Sequence, residues 1–396
     1  MKKILLINQT NTSSTGKICE YLLGANKENY DVYFAIGKPE KPLREREYSF
    51  QTNKFVEFFE HIAVRANGGE GFHNLYSTTK LIKIIKTIKP DLVNIHNIHD
   101  YVVNLPMLLN YLNFVGIPVV MTMHDCWNFT GRCANFDFNH CNKWGPSERC
   151  FQCKFRQENP KSILFSRTHH FWKKKNRLFS SNPNIVFVSP SKWLADLARQ
   201  SMLKNHRIVV INNGVDAPEQ KNDHAAIQKD GRKIILAAAS ELTVRKGVND
   251  MIRISQILDN TKYRLILAGK ASIDFSEHKN VEYVGELSNA ALMALMGNSD
   301  VLINPTYQDN FPTVNIEAMS LGVPIVAYET GGCPEVVKND VGRVVPSGDY
   351  KLMYEAVKEV LSGKSLKENC IKESKKYTVD KMVDKYFDLF KEVLDK

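Results

Sequence analysis

Short apolar runs recur along the chain, separated by polar turns and by longer segments with helical patterning. The first six are KKILLIN (2–8), DVYFAIG (31–37), DLVNIH (91–96), PVVMTMH (118–124), NIVFVSP (184–190) and RIVVIN (207–212). After a polar gap the rhythm resumes with KIILAAA (233–239), YRLILAG (263–269), VEYVG (281–285), DVLINP (300–305) and PIVAYE (324–329). Runs apolar on both faces predict parallel sheets covered on each side by helices such as STTKLIKIIKTI and ALMALMGN. The gap NNGVDAPEQKNDHAAIQKDGRK (212–233) has no apolar periodicity and marks a junction. The expected fold class is therefore α/β, two doubly wound domains in tandem at 1–215 and 216–375. A last segment, 376–396, carries Met382, Val383, Tyr386, Phe387, Leu389, Phe390, Val393 and Leu394 as one helical stripe. It is expected to cross back and pack on the first domain.

Length agrees with two domains: 396 residues exceed one ordinary core. The N-terminal run ILLI is too short for a secretory signal, and no apolar stretch reaches the roughly 18 residues of a membrane span. A cytoplasmic protein, peripheral on the inner face of the plasma membrane, is expected. Residues 1–215 hold 29 Lys and Arg against 16 Asp and Glu, a net of +13, whereas 216–396 hold 24 against 27, a net of −3. The basic half includes LIKIIKTIK (81–89) and HHFWKKKNR (169–177), which suit an anionic membrane surface. Nucleic acid, or a solvated face with snorkelling lysines, suits them equally.

Ligands of open α/β sheets bind beyond the carboxyl ends of the strands, so residues just after each run carry the candidate chemistry. After the first run comes NQTNTSSTGKI, where Gly16 precedes a helix; this is neither a P-loop nor a dinucleotide fingerprint. His124 and Asp125 close the fourth run, with His96 and His99 on the neighbouring edge. In the second half Arg245 and Lys246 can neutralise a diphosphate. Asp309 and Glu317 lie on a loop and the following helix, suited to the hydroxyls of a sugar and the diol of a ribose. Between them, Asn310, Phe311, Pro312, Thr313 and Val314 form a turn and helix start fit for phosphate. Four cysteines follow the spacing Cys133-x7-Cys141-x8-Cys150-x2-Cys153 within an insert at 126–153, consistent with structural zinc or with buried thiols.

The segment Asp309–Glu335 resembles the acid-x7-acid signature of the family-four retaining glycosyltransferases. That resemblance implies the GT-B fold, two Rossmann-like domains facing an interdomain cleft. It implies that Glu317 binds ribose hydroxyls, that Asp309 contacts the transferred sugar, and that Lys246, in a KG dipeptide, binds the donor diphosphate. His124 matches the family histidine that approaches the donor sugar, and Gly16 lies in the glycine-containing first loop. Two departures stand out: the first acid is usually glutamate, and the family arginine position holds Glu241, with Arg245 as its substitute. The insert HDCWNFTGRCANF…CNKW…CFQC is similar to a capsular, exopolysaccharide and colanic-acid-type subgroup. The implied activity is retaining hexosyl transfer from a nucleotide diphosphate sugar to a lipid-linked oligosaccharide, with no catalytic metal and no nucleic-acid partner. The alternatives are an epimerase or phosphorylase on the same fold, and a zinc-containing nucleic-acid or membrane-binding module.

Overall fold

The computed structural model describes residues 1–12, 14–99, 101–155, 162–163, 166–216 and 230–395. It divides into two compact units, Met1–Ile211 with Val383–Lys396, and Asn212–Met382.

In the first unit seven strands form one parallel sheet: β1 (Lys2–Asn8), β2 (Tyr30–Ile36), β3 (Glu47–Ser49), β4 (Leu92–Ile95), β5 (Val119–Thr122), β6 (Val186–Ser189) and β7 (Arg207–Val210), in the order β3-β2-β1-β4-β5-β6-β7. Leu5, Ile7, Val93, Ile95 and Met121 are fully or almost fully buried, as strands covered on both faces require. Helices are capped locally: Asn104 Oδ1 accepts the Met107 N–H at 3.0 Å to start Leu105–Val115. The helix Val379–Leu394 lays Tyr386, Phe387 and Phe390 into this unit, where Phe387 meets Tyr30 edge-on with centroids 5.1 Å apart.

The second unit holds β8 (Lys233–Glu241), β9 (Tyr263–Lys270), β10 (Val281–Gly285), β11 (Val301–Asn304), β12 (Ile325–Tyr328) and β13 (Gly342–Val345), all parallel, in the order β10-β9-β8-β11-β12-β13. Each sheet thus reverses direction once, between β1 and β4 in the first and between β8 and β11 in the second. Crossovers leave a crevice at such a point, beyond the strands' carboxyl ends.

Two strands have no counterpart among the eleven apolar runs. β3 is three residues inside the polar stretch Arg44–Ser49, and β13 begins on Gly342 and Arg343; both are edge strands with only one hydrogen-bonded neighbour.

Candidate functional site

In the second unit the two loops at the strand reversal meet. Lys246, on a single 3₁₀ turn after β8, forms an ion pair with Asp309, on the loop after β11. Arg245 braces the same loop: its Nη1 donates to the Gln308 carbonyl at 2.9 Å, and its own carbonyl accepts the Tyr307 N–H at 2.8 Å. The chain can come this close only because of two glycines in left-handed conformations. Gly247 has φ 79°, and a Cβ there would stand 2.0 Å from the Pro305 carbonyl oxygen. Gly331 has φ 53°, and a Cβ there would stand 1.8 Å from the carbonyl oxygen of Asp309. That carbonyl accepts the Gly332 N–H at 3.1 Å, so the Gly-Gly turn holds the backbone of Asp309.

Asn310, Phe311 and Pro312 lead into the helix Thr313–Ser320, which contains Val314 and a half-buried Glu317. Its amino end lies on the connection after β11, the position at which free N–H groups favour an anion. Beneath the loop is a residue that sequence reasoning passed over. Asp250, fully buried on the helix Val248–Ile257, accepts hydrogen bonds from Tyr307 at 2.5 Å and Tyr328 at 2.9 Å and pairs with Arg253 at 3.0 Å. Burial and the Asp250 carboxylate push the Tyr307 hydroxyl up to about 12. Two tyrosines bonded to one aspartate, 57 and 78 residues away, leave no local signature.

In the first unit the loops after β1, β4 and β5 converge. Asn8 ties two of them, its Nδ2 donating to the Thr10 carbonyl at 2.8 Å and its Oδ1 accepting the Asn97 N–H at 2.9 Å. Gly16 is buried in the first turn of the helix Ser14–Gly24, against Thr10 and Asn11. His124 Nε2 lies 3.0 Å from His96 Nδ1, and His99 Nε2 lies 2.7 Å from Asp125 Oδ2. Burial pushes the His124 imidazole down to about 4 and His96 well below its usual value, so both are neutral at pH 7. Burial alone would raise the Asp125 carboxyl, but His99 and the Trp127 N–H, 2.7 Å from Oδ1, hold it below the usual carboxylate range.

The Cys-rich insert packs as an aromatic cluster. Trp144 stacks on Phe136 and meets Phe129 edge-on, and its carbonyl accepts the Trp172 indole N–H at 3.0 Å. Lys175 is fully buried beneath it, 3.4 Å from the Trp127 ring centroid and donating to the Trp127 and Thr130 carbonyls at 2.6 and 3.2 Å. Burial lowers its pKa to about 7. Cys133, Cys141, Cys150 and Cys153 line one cavity of about 200 Å³ together with Phe136 and Trp144.

Of the two readings of the four cysteines, structural zinc or buried thiols, zinc finds no support. Among the described residues no group of three or more His, Cys, Asp or Glu side chains is arranged to hold a metal ion. The thiols have other neighbours: Cys150 Sγ accepts the Gly131 N–H at 3.3 Å, and Cys133 and Cys153 interact with each other, which raises the first and lowers the second.

The two basic stripes also read differently in the fold. Leu81, Ile82, Ile85 and Ile88 of the first, and Phe171, Trp172 and Lys175 of the second, are buried. Their apolar members build the core, while Lys86 lies over the Tyr111 ring at 5.7 Å and Lys174 over the Phe72 ring at 5.6 Å. Three neighbouring aromatics are exposed on the helix Lys54–Asn67: Phe55, Phe58 and Phe59 are 72%, 59% and 53% exposed.

Comparison with known proteins gives the family of the two units. The family model described as Glycosyltransferase Family 4 matches residues 18–218, and the one described as Glycosyl transferases group 1 matches 219–377. A protein of Escherichia coli K12 named for colanic acid biosynthesis, the glycosyl transferase WcaC, is 26% identical over 304 residues, 73% of each chain. The capsular polysaccharide biosynthesis glycosyltransferase CapM of Staphylococcus aureus is 24% identical over 190 residues, 42% of this chain and 50% of that one. Among solved structures, sucrose-phosphate synthase from Thermosynechococcus elongatus superposes with TM-score 0.70 at 14% identity over 100% of both chains. HepE of Anabaena, in complex with UDP, does so with TM-score 0.65 at 14% identity over 99% of this chain and 100% of that one.

Proposed function

The chain belongs to glycosyltransferase family 4 and has the GT-B fold, and from that premise we propose a retaining hexosyl transfer from a nucleotide diphosphate sugar to a hydroxyl of a lipid-linked oligosaccharide. It is a glycosyltransferase of the capsular and exopolysaccharide type. Membership sets aside the zinc-containing binding module as a reading of the basic half.

The observation that carries the proposal is the meeting of Lys246, Asp309 and the amino end of Thr313–Ser320 on the two loops at the β8/β11 reversal. Lys246 neutralises the donor diphosphate together with the helix amides, as charge-assisted contacts do best. In taking Lys246 over, the diphosphate releases the Asp309 carboxylate to accept hydrogen bonds from the sugar. Arg245 holds the loop by one N–H and offers its remaining donors to phosphate. Glu317 accepts from the ribose diol, and His124 contacts the sugar. The anomeric C–O bond to phosphate breaks, the acceptor oxygen attacks from the same face, and its proton passes to the departing phosphate oxygen.

Glu317→Ala tests this: the variant is expected to fold with an unchanged melting profile and lose turnover. Near-normal transfer by the folded variant would sink the assignment. Radiolabel in a free sugar or an altered sugar nucleotide without acceptor would instead point to an epimerase.

The same reading includes a membrane-bound acceptor, and the helix Lys54–Asn67 supplies its docking face. Among the described residues no helix is long and apolar enough to cross a membrane. Phe55 packs edge-on to Phe59 and Phe59 to Phe58, with Ile62 49% exposed beside them and Lys54 and Lys80 exposed at the rim. Each phenyl group gains about 1.5–3 kcal/mol on full burial, and lysines at the rim favour anionic headgroups. Phe58→Ser with Phe59→Ser is expected to abolish co-sedimentation with phosphatidylglycerol vesicles while leaving transfer to a water-soluble acceptor intact. Unchanged sedimentation overturns this docking face.

A further inference from the structure

A chain of hydrogen bonds runs beneath His124, and its direction is fixed at its inner end. Asn94 is fully buried on β4, and its Nδ2 lies 3.2 Å from the Val120 carbonyl and 3.2 Å from Thr122 Oγ1, both on β5. A carbonyl only accepts, so the amide group facing Val120 is the NH2, and Oδ1 points the other way. Oδ1 stands 2.8 Å from His96 Nε2 and can only accept, so His96 carries its proton on Nε2. A neutral imidazole has one N–H, which makes His96 Nδ1 a lone pair. His124 Nε2, 3.0 Å away, is therefore the donor to it, and the other ring nitrogen of His124 is an acceptor. Burial holds both rings neutral, which excludes the doubly protonated form that would break the chain of reasoning. Tyr386 closes the inner side: its hydroxyl donates to Thr122 Oγ1 at 3.3 Å and its ring stacks on His96 with centroids 6.2 Å apart.

We propose that Asn94 and His96 are positioning residues that hold His124 in the Nε2–H tautomer, which makes Nδ1 the acceptor nitrogen of that ring. That nitrogen suits a hydroxyl of the transferred sugar and repels a phosphate or carboxylate oxygen. The substrate half rests on the transfer reading above; the tautomer half does not.

Long-range 1H–15N correlation spectra of 15N-histidine-labelled protein at pH 7 test both halves, with the His124 signals assigned by their loss in His124→Asn. Expected for His124 and His96 alike is the pattern of a protonated Nε2 and a bare Nδ1. In Asn94→Leu the His124 pattern is expected to move to a tautomer mixture, with kcat falling about tenfold. A His124 already protonated on Nδ1 in the wild-type protein, or a His124 pattern unchanged in a folded Asn94→Leu, overturns the relay. The wild-type spectrum decides even if that variant does not fold. Addition of the donor nucleotide sugar is expected to shift the His124 Nδ1 resonance upfield, as hydrogen bonding to a lone pair does. A shift on Nε2 only, with the tautomer as expected, overturns the hydroxyl contact and leaves the relay standing.

Discussion

At the reversal of the second sheet, between β8 and β11, the loops meet through opposite charges: Lys246 on Asp309, with Arg245 on the backbone beside them. At the reversal of the first sheet, between β1 and β4, amides and imidazoles dominate: the Asn8 amide spans the loops, the His96 and His124 imidazoles follow β4 and β5, and the Asp125 carboxylate is paired with His99. The same crossover geometry is thus fitted with two kinds of chemistry. A diphosphate needs cations and amides that do not reorganise, whereas a neutral sugar needs donors and acceptors of fixed sense. The difference teaches that the strand order locates a crevice while the side chains around it set its polarity.

The largest break in the comparison is at the charged site. Lys246→Met is expected to lower kcat/KM by about 10²–10³, the scale of one lost transition-state donor, without changing the melting temperature by more than a few degrees. Steady-state transfer assays check it, and in an Asp309→Asn background the penalty is expected to shrink because the two side chains act as a pair. Next comes the support beneath that site. Asp250→Ala removes the carboxylate that accepts from the Tyr307 and Tyr328 hydroxyls and is expected to cost about 1–3 kcal/mol in urea denaturation while weakening donor binding. A graded effect, spread over several pH units, sharpens the neutral site. His96 and His124 stay unprotonated in the fold, His124 down to about pH 4, whereas in the unfolded chain imidazoles take up protons near pH 6.5. Stability therefore falls as pH drops through that window, by up to about 1.4 kcal/mol per pH unit for each imidazole, and His124→Asn is expected to flatten the slope.

The eleven apolar runs coincide with strands because a buried parallel strand has nowhere to put a polar side chain, so composition alone reveals it. β3 and β13 escape that logic, since an edge strand of three or four residues needs little apolar surface. Lys246, Asp309 and Glu317 stand out in sequence because their positions after strands are themselves legible. Asp250 does not, because on an amphipathic helix an aspartate reads as solvent-facing; only the fold brings Tyr307 and Tyr328 over it. The lysine-rich stripes are legible only in part. Period and charge describe both a membrane-binding helix and a core helix with wet lysines, and in the fold Ile85 and Trp172 are buried while Lys83, Lys86, Lys173 and Lys174 stay exposed. The helix Lys54–Asn67, which exposes three phenyl groups, is less basic and carries no such signal of charge.

The discontinuity of the first unit has a consequence for biosynthesis. Tyr386, Phe387 and Phe390 belong to the core of a unit whose other residues end at Ile211, so 171 residues of the second unit are translated in between. At about 5–20 residues per second that interval lasts on the order of ten to thirty seconds. Throughout it the ribosome-bound chain carries an unfinished N-terminal core with the Tyr30 edge and the Thr122–His96 network uncovered, while the second unit has all its own residues first. The last helix is therefore a timer as well as a brace: the first unit matures only once residues 383–396 leave the exit tunnel.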